Sequence, residues 1–116
     1  MNEHDREQER LRYIRDNIAR IEQYTRGSRV VFQQEAVVQD AVLRRLETLA
    51  DASSKLSDAL KRRHPEVQWR EVYGFRNIAA HAYEVIKLDR VWEIVETHLP
   101  PLKRVVEAEL AESDEA

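Results

Sequence analysis

The stretch FRNIAAHAYE, Phe75 to Glu84, sits in the most apolar part of a highly charged chain, yet it carries Arg76, Asn77, His81 and Tyr83. An arginine presents a planar fork that matches phosphate oxygens, and a histidine takes or gives a proton near neutral pH. This pairing suits a phosphodiester. Cleavage of RNA through its own 2′-hydroxyl needs a base to activate that hydroxyl, an acid for the leaving oxygen, and positive charge on the phosphate. One histidine does not conveniently fill both proton-transfer roles. A pair of copies facing each other across a two-fold axis would double both the histidine and the arginine, so a homodimer with a shared cleft is the natural completion.

The element that must position these groups is a helix. At about 100° per residue from Val72, the residues Phe75, Ile78, Ala79 and Ala82 share one stripe that has to face a core. Arg76, Asn77, Ala80, His81 and Glu84 then fall on the opposite face, where the methyl group of Ala80 leaves a shallow dent between the guanidinium and the imidazole. Tyr83 follows Arg76 by two turns and lies about 20° from it, so its hydroxyl can rise beside the guanidinium. Spacing alone leaves a second reading open: an arginine paired to a carboxylate and a histidine hydrogen-bonded at a helix end.

Composition bounds the scaffold. The chain has 116 residues, enough for one domain (1–116) with a single hydrophobic core. Only two glycines and three prolines, with 35% charged residues and no strand-rich runs, point to an all-α fold of long amphipathic helices. The absence of cysteine rules out disulfides and thiolate metal sites. The first residues, MNEHDREQER, contain no apolar signal region, and no apolar run approaches the roughly 20 residues of a membrane span. A cytoplasmic protein without membrane contact is expected. Net charge is −3, but acidic tails account for it: residues 1–10 and 107–116 leave 13 acids and 17 bases between Leu11 and Val106, out of 22 and 19 in all. The body is mildly basic, compatible with a nucleic acid or with an ordinary solvated surface.

Periodicity predicts an antiparallel bundle of four main helices joined by short loops. The first runs from about Asp5 to Thr25 through Leu11, Ile14, Ile18 and Ile21, with Gly27 as its stop. The second runs through Val38, Val42, Leu46, Leu49, Leu56 and Leu60 to the RRHP sequence, with Ser53 and Ser54 at a close helix approach. The third starts near Gln68 and bends near Gly74. The fourth begins with Asp89 as N-cap and is interrupted by Pro100 and Pro101, giving a kink or two abutting helices around Leu99. His64 and His98 are expected to serve helix ends or pack at the kink, His4 to do nothing structural, and Trp69 and Trp92 to pack the bundle ends. The KRRH run reads as a solvated helix end. No histidine pair has metal-ligand spacing with acids in support, so no metal or other cofactor is assigned.

The order Arg, four residues, His, one residue, Tyr in RNIAAHAY resembles the motif of the HepT-like proteins of the HEPN superfamily. The flanking stretches QDAVLRRLE, LSDALKRRHPEVQWREVYGFRNIAAHAY and DRVWEIVETHLPPLK look like that family in order and spacing, so the resemblance covers roughly Leu11 to Leu110. It implies a helical homodimer acting as a metal-independent endoribonuclease, the toxin of a type VII toxin–antitoxin pair. Its antitoxin would be a nucleotidyltransferase of the minimal (MNT) type, neutralising it by binding or by transferring AMP to the motif tyrosine. Carried over, Arg76 and His81 are catalytic, Asn77 is the supporting polar residue, and Tyr83 accepts AMP. The chain departs from the family at LADA, Leu49 to Ala52, where IGEA is frequent: Ala50 replaces glycine and Asp51 shortens a carboxylate. It departs again at Ala82, where many relatives carry a bulkier or charged residue. Two readings of different class remain, an RNase toxin and a non-catalytic dimeric binding subunit of a nucleotidyltransferase, with a plain helical scaffold as a third.

Overall fold

Leucines and isoleucines at three- and four-residue steps can be buried together only on one side of a helix, and the computed structural model, which describes residues 1–81 and 88–115, builds such helices throughout. Helix α1 spans Glu3–Thr25 and buries Leu11, Ile14, Ile18 and Ile21 completely or nearly so. Asn2 caps its start, the side-chain oxygen accepting from the Asp5 amide at 2.9 Å. Its end is a left-handed turn: Arg26 (φ 53°) donates its amide to the Glu22 carbonyl at 2.8 Å, and Gly27 (φ 68°) follows. Gly27 therefore stands at the expected stop, with Arg26 sharing the left-handed conformation.

A short helix, α2 (Arg29–Gln34), intervenes where no element was expected. Ser28 caps it by accepting from the Val31 amide, and Phe32 is its sole buried side chain. Six residues are too few to show a helical period.

The expected second helix is instead two, α3 (Ala36–Ser54) and α4 (Asp58–Arg63). The apolar spacing runs across the break because Leu56 and Leu60 both enter the core. A side chain from α1 closes the gap: the Glu7 carboxylate accepts from the Ser57 amide at 2.7 Å and from its hydroxyl at 3.3 Å, while Ser57 caps α4 at the Leu60 amide. Ser53 is fully buried, as a close helix approach requires, and Ser54 is exposed.

Helix α5 (Trp69–His81) passes through Gly74 without a break, so the expected bend does not interrupt it. One glycine costs a helix interior about 1 kcal/mol, and the buried Val72 and Phe75 on either side outweigh that. The last run is described from Leu88, as α6 (Leu88–Glu93), and Asp89 is within the helix rather than its N-cap. Asp89 lies in its first turn, and its carboxylate accepts from Arg29 and Gln33 of α2 at 3.3 and 3.4 Å. At the expected kink the chain widens into a π-helical segment, Ile94–His98, before α7 (Leu99–Glu115). Pro100 and Pro101 have no amide hydrogen to give the preceding turn, and the Leu99 amide bonds five residues back to Ile94.

The result is an all-α antiparallel bundle of four main helical runs, with no strand among the described residues. Helix α3 packs against both α1 and α5, and α7 packs against α1. Trp92 lies on Phe32 with ring centres 5.6 Å apart, and His98 meets the Phe75 ring edge-on at 6.0 Å. No helix among the described residues is long and apolar enough to cross a membrane.

Candidate active site

Burial on α5 follows the helical wheel. Phe75 and Ala79 are buried and Ile78 half-buried, so the bundle takes the apolar stripe; Arg76, Asn77, Ala80 and His81 are all exposed on the other side. Arg76 forms no ion pair or hydrogen bond with another described residue, which leaves its guanidinium fork available. His81 is the last described residue of α5. Tyr83 and Ala82 lie outside the described residues, as does Glu84.

Arg76 opens onto a groove of about 670 Å³. Helix α3 forms its floor, through residues spaced three and four apart from Arg44 to Lys55, and α1 supplies the facing wall from Arg6 to Tyr13. Lysine and arginine outnumber carboxylates there: Arg6, Arg10, Arg44, Lys55 and Arg76 against Glu9, Glu47 and Asp51. Glu47 pairs with Arg44 at 3.6 Å, Asp51 with Lys55 at 3.4 Å and Arg6 with Glu3 at 2.7 Å, so Arg10 and Arg76 are the groove cations without an ion pair to a described residue. Asp51, the shortened carboxylate of the LADA sequence, thus shares the groove with Arg76. Asn77 and His81 do not line it.

One buried network holds this groove in shape. Asn17 interrupts the apolar stripe of α1 and is only 1% exposed. Its side-chain oxygen accepts from Thr48 at 2.8 Å and from Arg45 at 3.1 Å, and its amide donates to the Tyr13 carbonyl at 2.9 Å. Helix α1 is thereby fixed in register on α3, with Tyr13 and Thr48 turned to the groove. Apart from Asp51, the α1 and α3 contribution was not foreseen from the sequence. Tyr13, a large aromatic on the polar side of a strongly patterned helix, was its one visible signal.

Away from the groove lining, His64 and Arg63 hold Glu109 of α7 at 2.8 and 2.7 Å. Burial pushes the Glu109 carboxyl up, but hydrogen bonds from His64 and Arg63 and the Arg63 charge outweigh it, and the net direction is down. Trp69 donates its indole N–H to the His64 carbonyl at 3.0 Å. His64 therefore serves a helix end as expected, and its neighbour Arg63 is tied to α7 rather than merely solvated. Among the described residues, no three His, Cys, Asp or Glu side chains are grouped to hold a metal ion.

A helical bundle presenting an exposed arginine and histidine on one helix defines a class, and comparison with known proteins names it. The family model described as Ribonuclease HepT-like matches residues 14–109, and the chain belongs to that family. It is 34% identical over 96 residues to the Probable ribonuclease HepT of Thermococcus cleftensis, covering 80% of this chain and 86% of that one. It is also 34% identical over 76 residues to Putative RNase MJ1380 of Methanocaldococcus jannaschii, covering 66% and 70%. A third relative from the same archaeon, named Gamma-glutamylcyclotransferase and putative RNase MJ0434, is 30% identical over 97 residues; these cover 83% of this chain and 44% of that larger protein. No solved structure matches the chain.

Proposed function

We propose that this protein is a metal-independent endoribonuclease, the toxin of a toxin–antitoxin pair, in which Arg76 binds and neutralises the scissile phosphate and His81 transfers protons. The observation that carries this reading is Arg76: an exposed guanidinium, unpaired among the described residues, at the edge of a cation-rich groove and on the same helix face as His81. Ribonuclease names among its relatives agree with it. Asn77, on the same face, supports the phosphate by hydrogen bonding. The whole chain acts as one HepT-like unit in the cytoplasm, as a homodimer whose two α5 faces share a cleft. An MNT-type nucleotidyltransferase neutralises it by binding or by placing AMP on Tyr83. In the alternative, the dimer is a non-catalytic subunit of that nucleotidyltransferase, and Arg76 and His81 have no chemical task. RNA cleavage and growth inhibition by the wild type, Arg76→Ala and His81→Ala separate the two. Both substitutions should lower cleavage by about a hundredfold or more with the fold intact, since removing a charge-stabilising or proton-transferring group typically costs that much. Unchanged cleavage and toxicity in both variants would leave the binding subunit as the better account.

A further inference from the structure

The groove beside Arg76 carries more than a phosphate site. Tyr13 lies on its α1 wall with 46% of its surface exposed, one of the few large apolar side chains that the fold leaves open. Arg10 sits one turn before it, its guanidinium donating to the Lys55 carbonyl at 3.1 Å and making no ion pair with a described residue. Arg44 lies at the other end of the α3 floor, paired with Glu47 at 3.6 Å. An aromatic face between arginines, continuous with Arg76, matches what an unpaired nucleotide offers: a base to stack and phosphates on either side to neutralise. A duplex has no unstacked base to give Tyr13. The α3 floor from Arg44 to Lys55 runs for about 16 Å at the helical rise, long enough for a short single strand and not for a folded domain.

We infer that the α1–α3 groove is a single-stranded RNA site in which Tyr13 stacks a base and Arg10 and Arg44 hold the flanking phosphates, so that the strand is delivered to Arg76. This rests on the reading of the chain as a ribonuclease but not on the particular roles given to Arg76 and His81. The buried Asn17 gives the site its rigidity, because its amide holds the Tyr13 carbonyl while its oxygen holds Thr48 on the facing helix. Tyr13 and Arg10 are thus positioning residues, acting on the substrate away from the reacting atoms.

The test is fluorescence anisotropy with a labelled 2′-O-methyl oligouridylate, which cannot be cut, against the same strand annealed to its complement. The full chain should bind the single strand more tightly than the duplex. Tyr13→Ala should weaken binding about tenfold or more while Tyr13→Phe retains it, because the stacking face and not the hydroxyl is used. Arg44→Ala should weaken binding and reduce the slope of log affinity against log salt by about one. Equal binding of duplex and single strand, or a Tyr13→Ala variant that binds like the wild type, overturns the inference. So does a Tyr13→Ala variant that sediments differently from the wild type, which would make this groove a contact between copies of the chain. Cleavage by His81→Ala is read separately: full activity there with the Tyr13 effect intact would sink the catalytic reading alone, and an inert His81→Ala with no Tyr13 effect would sink this one alone.

Discussion

If Arg76 meets the charge that develops on a phosphorane, its fork differs from a point charge in reaching two oxygens at once. Arg76→Lys should therefore keep substrate affinity better than it keeps turnover, so that kcat falls more than KM rises in a cleavage assay; a rise in KM with kcat unchanged would mean that Arg76 only binds. If the 2′-hydroxyl is the nucleophile, the products carry 2′,3′-cyclic phosphate ends, a strand lacking that hydroxyl is uncut, and cleavage persists in EDTA. Loss of activity on chelation would refute this chemistry. Tyr83 belongs to the same scale, though its place rests on sequence spacing. AMP on its hydroxyl would bring negative charge and bulk beside Arg76, opposing RNA phosphate both electrostatically and sterically. If a nucleotidyltransferase of the MNT type is the antitoxin, incubation with it and ATP should add one AMP mass at Tyr83 and abolish cleavage; AMP on another residue would overturn the assignment. The helix face holding Arg76, Asn77 and His81 was legible in the sequence because Phe75 and Ala79 leave it no other orientation. Arg10, Tyr13 and Arg44 were not, since they meet Arg76 only when three helices pack, and no local period encodes that.

Among the elements, the long helices could be read and their breaks could not. Periodic burial defines α1 and α3 over several turns, whereas the gap between α3 and α4 depends on Glu7, fifty residues away in sequence, reaching Ser57. The π-helical segment was foreshadowed by two prolines, but widening rather than kinking is a choice made by the packing of Ile94 and Leu99 into the core. Helix α4 is fastened to α7 through Glu109, and that contact is titratable. Its carboxyl is held below the ordinary carboxylate range by His64 and Arg63, so it contributes stability above its unfolded value of about 4.3 and loses that contribution as pH falls through the lower folded value. The groups acting on it are His64 and Arg63; Arg63 in turn feels Glu7 and Glu112, and His64 meets Glu66 at 3.5 Å. Urea denaturation should show Glu109→Gln destabilised by about 1–3 kcal/mol at neutral pH, with the difference from wild type shrinking as pH falls below about 4. A difference independent of pH would mean that Glu109 acts by packing alone.

For the whole molecule, the deciding fact is that a single chain exposes one Arg76 and one His81 at the candidate site. In-line transfer from the 2′-hydroxyl needs proton transfer at two oxygens on opposite sides of the phosphorus, and His81 of one chain cannot be on both sides at once. A two-fold axis near α5 answers this with no new residue, because an isologous contact places each copy of a residue against the other. The local shape favours that contact: Ala80 is exposed between Arg76 and His81, so a partner helix can approach closely there without displacing a long side chain. Substrate would then pass from the α1–α3 groove of either chain to a cleft between the α5 helices. Sedimentation equilibrium should give a dimer at micromolar concentration, and Ala80→Arg, which places a long cation in the contact, should shift it to monomer and abolish cleavage while leaving the helical circular dichroism unchanged. Mixing Arg76→Ala with His81→Ala should meanwhile restore part of the activity that each lacks alone, if each chain of a mixed dimer supplies what the other is missing. A monomeric wild type that still cuts RNA would overturn the shared cleft and require the second proton-transfer group to lie within a single chain.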